Sequence, residues 1–145
     1  MQGAQTRYTV DRTQYASLAP TLNTWDYTTN PLYVAVHVPA GERWVTSVTF
    51  GAYVVGPNAP TYQIFVGLVF TGAYSYRSPV NAAQDGMFYW RWGIGAAGDN
   101  TYFDQTGTVV LPSGTTRINF AYGRDAGAIT LEDRRITANP IYRIS

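Results

Sequence analysis

The 145-residue chain contains no cysteine and no lysine. The first absence excludes disulfides, thiolate nucleophiles and thiolate metal sites. The second excludes a G-x-x-x-x-G-K-[ST] phosphate loop, so the glycines of Gly93-Ile94-Gly95-Ala96-Ala97-Gly98 carry no such reading. Charge of either sign is scarce. Ten Arg face seven Asp and two Glu, for a formal net charge of +1 and 13% charged residues. Average globular chains carry about a quarter. That near-neutral balance lacks the basic footprint of a nucleic-acid binder. Arginine as the only long basic side chain fits a GC-rich genome better than a hot habitat, because hyperthermophile proteins are rich in Lys and Glu. No stretch approaches the roughly 18 apolar residues of a membrane helix, and MQGAQTRYTVDR carries no apolar signal-peptide stretch. Helical periodicity is missing too: TRYTVDRTQYASLA is Thr- and Tyr-rich, poor for a helix, and Pro20 ends it.

What the chain does have is rings, hydroxyls and turns. Aromatics make up 15%, with eighteen Thr and fourteen Gly, the stock of short strands and tight turns. Leu32–Val38 alternates Val34, Val36 and Val38 against Tyr33, Ala35 and His37. Trp44–Val55 puts Val48, Phe50, Ala52 and Val54 on one face, with Gly51 marking a bulge. Tyr62–Phe70 is apolar on both faces, as a central strand or one facing a partner would be. Shorter strands follow at 87–93, 108–111, 116–122, 128–131 and 141–144. About eight strands with turns between them predict an all-β fold, a single-domain β-sandwich or jelly-roll-like barrel. At this length one core is sustainable, whereas two halves would each be too small without disulfides or metal. Residues 1–31, polar and weakly patterned, are expected as an N-terminal arm, and residues 32–145 as the sandwich domain. Within it, 71–105 carries two Gly-rich stretches around MFYWRW and is expected to project as a loop or hairpin.

Chemistry is hard to assemble from these residues. His37 is the sole histidine, and no serine sits in a nucleophile elbow. Glu42 adjoins a turn, and Glu132 lies beside Arg134 and Arg135, which it would pair with. Asp99, Asn100 and Asp104 lack the spacing of a calcium loop and read as turn caps. No metal, cofactor or catalytic residue is expected. The remaining signal is surface. Aromatic and Arg side chains are the types enriched at interface hot spots. Tyr8 and Tyr15 in the arm, with Tyr89, Trp90, Arg91, Trp92, Tyr102 and Phe103 in the projecting segment, are the interface candidates. One copy is expected to be unable to hide the rings on both faces of its MFYWRW strand.

Over its full length the chain resembles the capsid decoration (cement) proteins of long-tailed thermophilic bacteriophages. The likeness rests on the lysine-free, Tyr- and Thr-rich β character, the arm MQGAQTRYTVDRTQY and the excursion around MFYWRWGIGAAGDNTYF. It implies a homotrimer with intertwined loops, seated on the capsid exterior where it ties the major capsid lattice. It implies no enzymatic activity, no nucleic-acid partner and no membrane. The alternative is a carbohydrate-binding β-sandwich module, which TVVLPSGTTRINFAYGRDAGAITLEDRRITANP resembles, with Trp90, Trp92 or Trp44 as sugar platforms. A capsid jelly roll or tail-associated adhesin is a third reading.

Overall fold

The computed structural model describes residues 7–11, 15–17, 25–28, 30–55, 63–77, 87–93, 100–124 and 129–144. They form ten strands: β1 (Arg7–Asp11), β2 (Tyr15–Ser17), β3 (Tyr33–Val38), β4 (Trp44–Val55), β5 (Gln63–Gly72), β6 (Tyr76–Arg77), β7 (Tyr89–Gly93), β8 (Asn100–Leu111), β9 (Gly114–Arg124) and β10 (Ile129–Arg143). The fold is all-β. One antiparallel sheet has the order β1-β10-β4-β8, with β2 also on β10. The other has the order β3-β9-β5-β6, with β7 also on β5. Along the chain, β1, β4, β8 and β10 fall in the first sheet and β3, β5, β7 and β9 in the second. The chain thus crosses between the sheets at most steps, with β5, β6 and β7 staying in the second, and the two sheets form a β-sandwich.

Period-two alternation explains the packing. Val48, Phe50, Ala52 and Val54 of β4 face Ile64, Val66, Leu68 and Phe70 of β5 in the main core, joined by Val34, Val36, Ile118, Phe120 and Ile136. Strand β5 is apolar on both faces because it lies between β9 on one side and β6 and β7 on the other, with a second cluster over its outer face. The free edge of β7 is also engaged. Gln105, pointing inward from β8, donates its Nε2 to the carbonyls of Tyr89 and Met87 at 2.9 and 3.2 Å. Backbone acceptors that would otherwise stand open at that sheet edge are thereby satisfied.

Three expectations change. The described part of residues 1–31 does not stand apart as an arm. β1 pairs with Arg134–Ala138, β2 pairs with Ile129–Leu131, and Asp26 bridges to Tyr122, so the first sheet gains its outermost strands from this segment. The described parts of 71–105 do not project either: β7 zips along β5 from Gln63 to Gly67, and β8 pairs with β4 through all twelve of its residues. Residues 78–86 and 94–99 of that segment lie outside the described residues. Finally, Gly51 is no bulge, since its register with Asp104 is continuous. The bulge falls opposite, between Glu132 and Arg135 of β10, where Asp133 takes φ +50°.

Candidate functional site

Two surfaces concentrate side chains that the core does not use. The first is the outer face of the first sheet, built in cross-strand rows over β8, β4 and β10. At one end Tyr102 lies against Tyr53 with ring centroids 4.5 Å apart. The next row is Asp104, Gly51 and Arg135, and an ion pair of 2.8 Å runs between Asp104 and Arg135. Gly51 is required there by close approach, because a Cβ would land on the Asp104 carboxylate and the Phe103 carbonyl. Then come Thr106, Thr49 and Thr137, with the first two hydroxyls bonded at 2.7 Å, and after them Thr108, Ser47 and Asn139. The far row is Val110, Val45 and Tyr142. Tyr102 is 62% exposed and Tyr142 57%, and Val110, Ile141 and Ile144 are exposed beside them. The result is a face of hydroxyls with apolar groups at both ends and little charge.

The end of β10 is fastened by a small clamp. Trp44 donates its indole N–H to Glu42 Oε2 at 3.0 Å, and Arg143 donates to the other carboxylate oxygen at 3.0 Å. These bonds, the Trp44 one first, hold the Glu42 carboxyl below its ordinary range.

The second surface lies on the opposite side of the sandwich, over the second sheet. Trp25 lies on Gly67, where a Cβ would come within 2.8 Å of the indole. It meets Tyr89 edge-on at 5.9 Å, and Phe65, Val69 and Ala121 complete this outer cluster. Asp26 anchors the roof: its backbone pairs with Tyr122 in both directions, and its carboxylate accepts the Tyr122 hydroxyl at 2.7 Å. Burial pushes the Tyr122 phenol up to about 12. Beside the roof is a depression of about 320 Å³ lined by Tyr27, Thr28, Pro31, Thr71, Arg117 and Asn119. The Arg117 guanidinium is stacked 3.5 Å from the centroid of the Tyr33 ring, and its Nε donates to Asn119 Oδ1 at 3.0 Å. Asn119 in turn donates to the Val69 carbonyl at 2.9 Å. Arg77 reaches the Tyr27 hydroxyl at 3.1 Å.

A scan of protein-family models finds none that matches the chain, and a search of curated proteins finds no relative.

The interface residues expected from sequence are dispersed. Tyr8 and Tyr15 fall at register positions opposite Thr137 and Leu131 on β10, and their side chains lie outside the described residues. Tyr89 is 2% exposed and Phe103 6%, so both pack the protomer interior and neither is presented to a partner. Trp90 stacks on Phe103 at 4.1 Å and 7°, and Trp92 on Trp90 at 6.2 Å. Arg91 is half-buried on the outer side of β7. Only Tyr102 lies in the open face. Within one copy, Trp90 and Trp92 pack half-buried against the core from one side of β7 and Trp25 roofs Tyr89 on the other, which corrects the expectation that one copy has no cover for the rings on its two faces. Of the three sugar-platform candidates, Trp90 and Trp92 are half-buried against the core, and Trp44, also half-buried, is tied into the Glu42 clamp. Of the two arginines beside Glu132, Arg135 bridges to Asp104 and Arg134 donates to the Asn30 carbonyl at 3.0 Å.

Tyr53, Val110 and Tyr142 on one face, and Tyr27, Pro31, Arg117 and Asn119 on the other, were missed. Strand alternation already set Arg117 and Asn119 opposite Ile118 and Phe120. What it could not supply was the segment from Trp25 to Pro31 crossing over to meet them.

Proposed function

We propose that the chain is a non-enzymatic structural protein that forms a homotrimer and stabilises a viral capsid by binding the outer surface of its lattice. The observation that carries the proposal is the outer face of the first sheet. Three strands about 4.8 Å apart and twelve residues long, at ~3.4 Å each, cover roughly 600 Å² of sheet plane. With the five residues of β1 beside them the face reaches roughly 670 Å², against the ~800 Å² per partner of an ordinary stable interface. Its composition supports that use, because Tyr102 and Tyr142 are ring anchors and the hydroxyl rows between them carry no net charge to desolvate.

The same face ends at β8, an edge strand of twelve residues whose only charge is Asp104. Edge strands are usually blunted by proline, lysine or bulges. Strand β8 has none of these, and its register with β4 is continuous. A head-to-tail contact of this edge with the next copy closes into a ring when the rotation permits. The three-fold form and the capsid partner follow the resemblance to decoration proteins, with jelly rolls being frequent in capsids and lectins alike.

The capsid part is tested by pelleting capsid shells of the encoding virus with added protein. Wild-type chain is expected in the pellet at saturable stoichiometry, and Tyr102→Glu is expected in the supernatant. Wild type remaining in the supernatant with intact, undecorated shells would refute lattice binding.

A further inference from the structure

The depression over the second sheet is independent of the assembly face and lies on the other side of the sandwich. We propose that it is a binding site for an acidic sugar, a pyranose bearing a carboxylate such as a hexuronate residue of a glycan. The Arg117 guanidinium is already oriented by its stack on Tyr33 and its Nε bond to Asn119. Among the described residues its two terminal nitrogens have no hydrogen-bond partner. That leaves one parallel pair of N–H donors facing outward, the geometry that grips a carboxylate bidentately. Pre-orientation matters because the ordering entropy of a long side chain is then already lost before the ligand arrives.

The rest of the lining selects the ligand class. Tyr27, with Arg77 over its ring at 5.7 Å, and Pro31 supply apolar lining for the C–H face of a pyranose, and Thr28 and Thr71 supply hydroxyls for its alcohols. At about 320 Å³ the space is at the small end of ligand sites and suits one ring better than a peptide strand. Charge points the same way. Arg117 lines the depression and Arg77 reaches Tyr27 at its side, while no carboxylate is among the lining residues. Asp26, the residue before Tyr27, accepts from the Tyr122 hydroxyl and the Thr28 amide.

The test is a titration of the full chain with methyl β-glucuronide, followed by amide chemical shifts, with methyl β-glucoside and acetate as controls. Saturable shifts centred on Thr28, Thr71 and Arg117 are expected with the glucuronide. Arg117→Gln and the two controls are each expected to bind about tenfold more weakly or worse, as loss of a bidentate ionic pair or of the ring contacts implies. Tyr102→Ala, on the other face, is expected to bind as wild type does. Absence of saturable shifts in the wild type would overturn the site whatever the variants do. So would equal response to the glucoside or to acetate, or Arg117→Gln binding as wild type does. None of these results bears on self-association, so the two proposals fail separately.

Discussion

Gly51 shows how one absent methyl group sets the chemistry of a face. Asp104 and Arg135 reach each other across β4 only because nothing rises from Gly51 between them. Gly51→Ala is expected to lose that ion pair and to overpack the row, lowering stability by about 1–3 kcal/mol in urea unfolding. Unchanged stability would mean that β8 yields at no cost. Glu42 carries a second residue-scale expectation. Its pKa is depressed in the folded state, so its contribution is present above its ordinary value of 4.5 and fades as pH falls through the lowered folded value. The Trp44 indole N–H resonance should therefore titrate with a midpoint below 4.5 and hold steady from there to neutrality. Tyr122 behaves with opposite sign: its raised pKa means stability is full below about 10 and is lost as pH climbs towards about 12.

Strand β7 carries the lesson at the scale of elements. Its sequence, Tyr89-Trp90-Arg91-Trp92-Gly93, reads correctly as a strand with rings on two faces. Whether the second face meets a partner copy or the chain's own N-terminal segment depends on a contact more than sixty residues away, which no local pattern encodes. Trp25 makes that contact. Removing it by Trp25→Ala is expected to destabilise the protomer by about 3–5 kcal/mol, and to raise hydrogen exchange along β7. Tyr102→Ala, a change on the open face, is expected to alter protomer stability by no more than about 0.5 kcal/mol. Equal losses in the two variants would undo the division between roof and surface. The alternating strands β3, β4, β5 and β9 were legible in sequence because one buried face imposes strict period two. The early part of β8 was not, since polar Asn100, Thr101, Asp104, Gln105 and Thr106 surround its adjacent Tyr102 and Phe103 and leave no period-two apolar face. Nor was β10 as one strand, since Asp133 and Pro140 interrupt it at bulges while the pairing with β4 runs on.

At the scale of the whole molecule, the described residues bury Tyr89 and Phe103, pack Trp90 and Trp92 half-buried against the core, and leave Tyr102 on an open face with Tyr142 and Val110. In our proposal, assembly uses that face and the unblunted β8 edge, and the acidic sugar binds on the side that assembly would leave free. Sedimentation equilibrium of the wild-type chain, with Tyr102→Glu beside it, tests this most directly. A mass of three times the 16.0 kDa protomer for wild type, falling to one protomer in the variant with its fold intact, is the predicted result. Wild type sedimenting as a single 16.0 kDa species at every concentration, or a trimer indifferent to Tyr102→Glu, would contradict it.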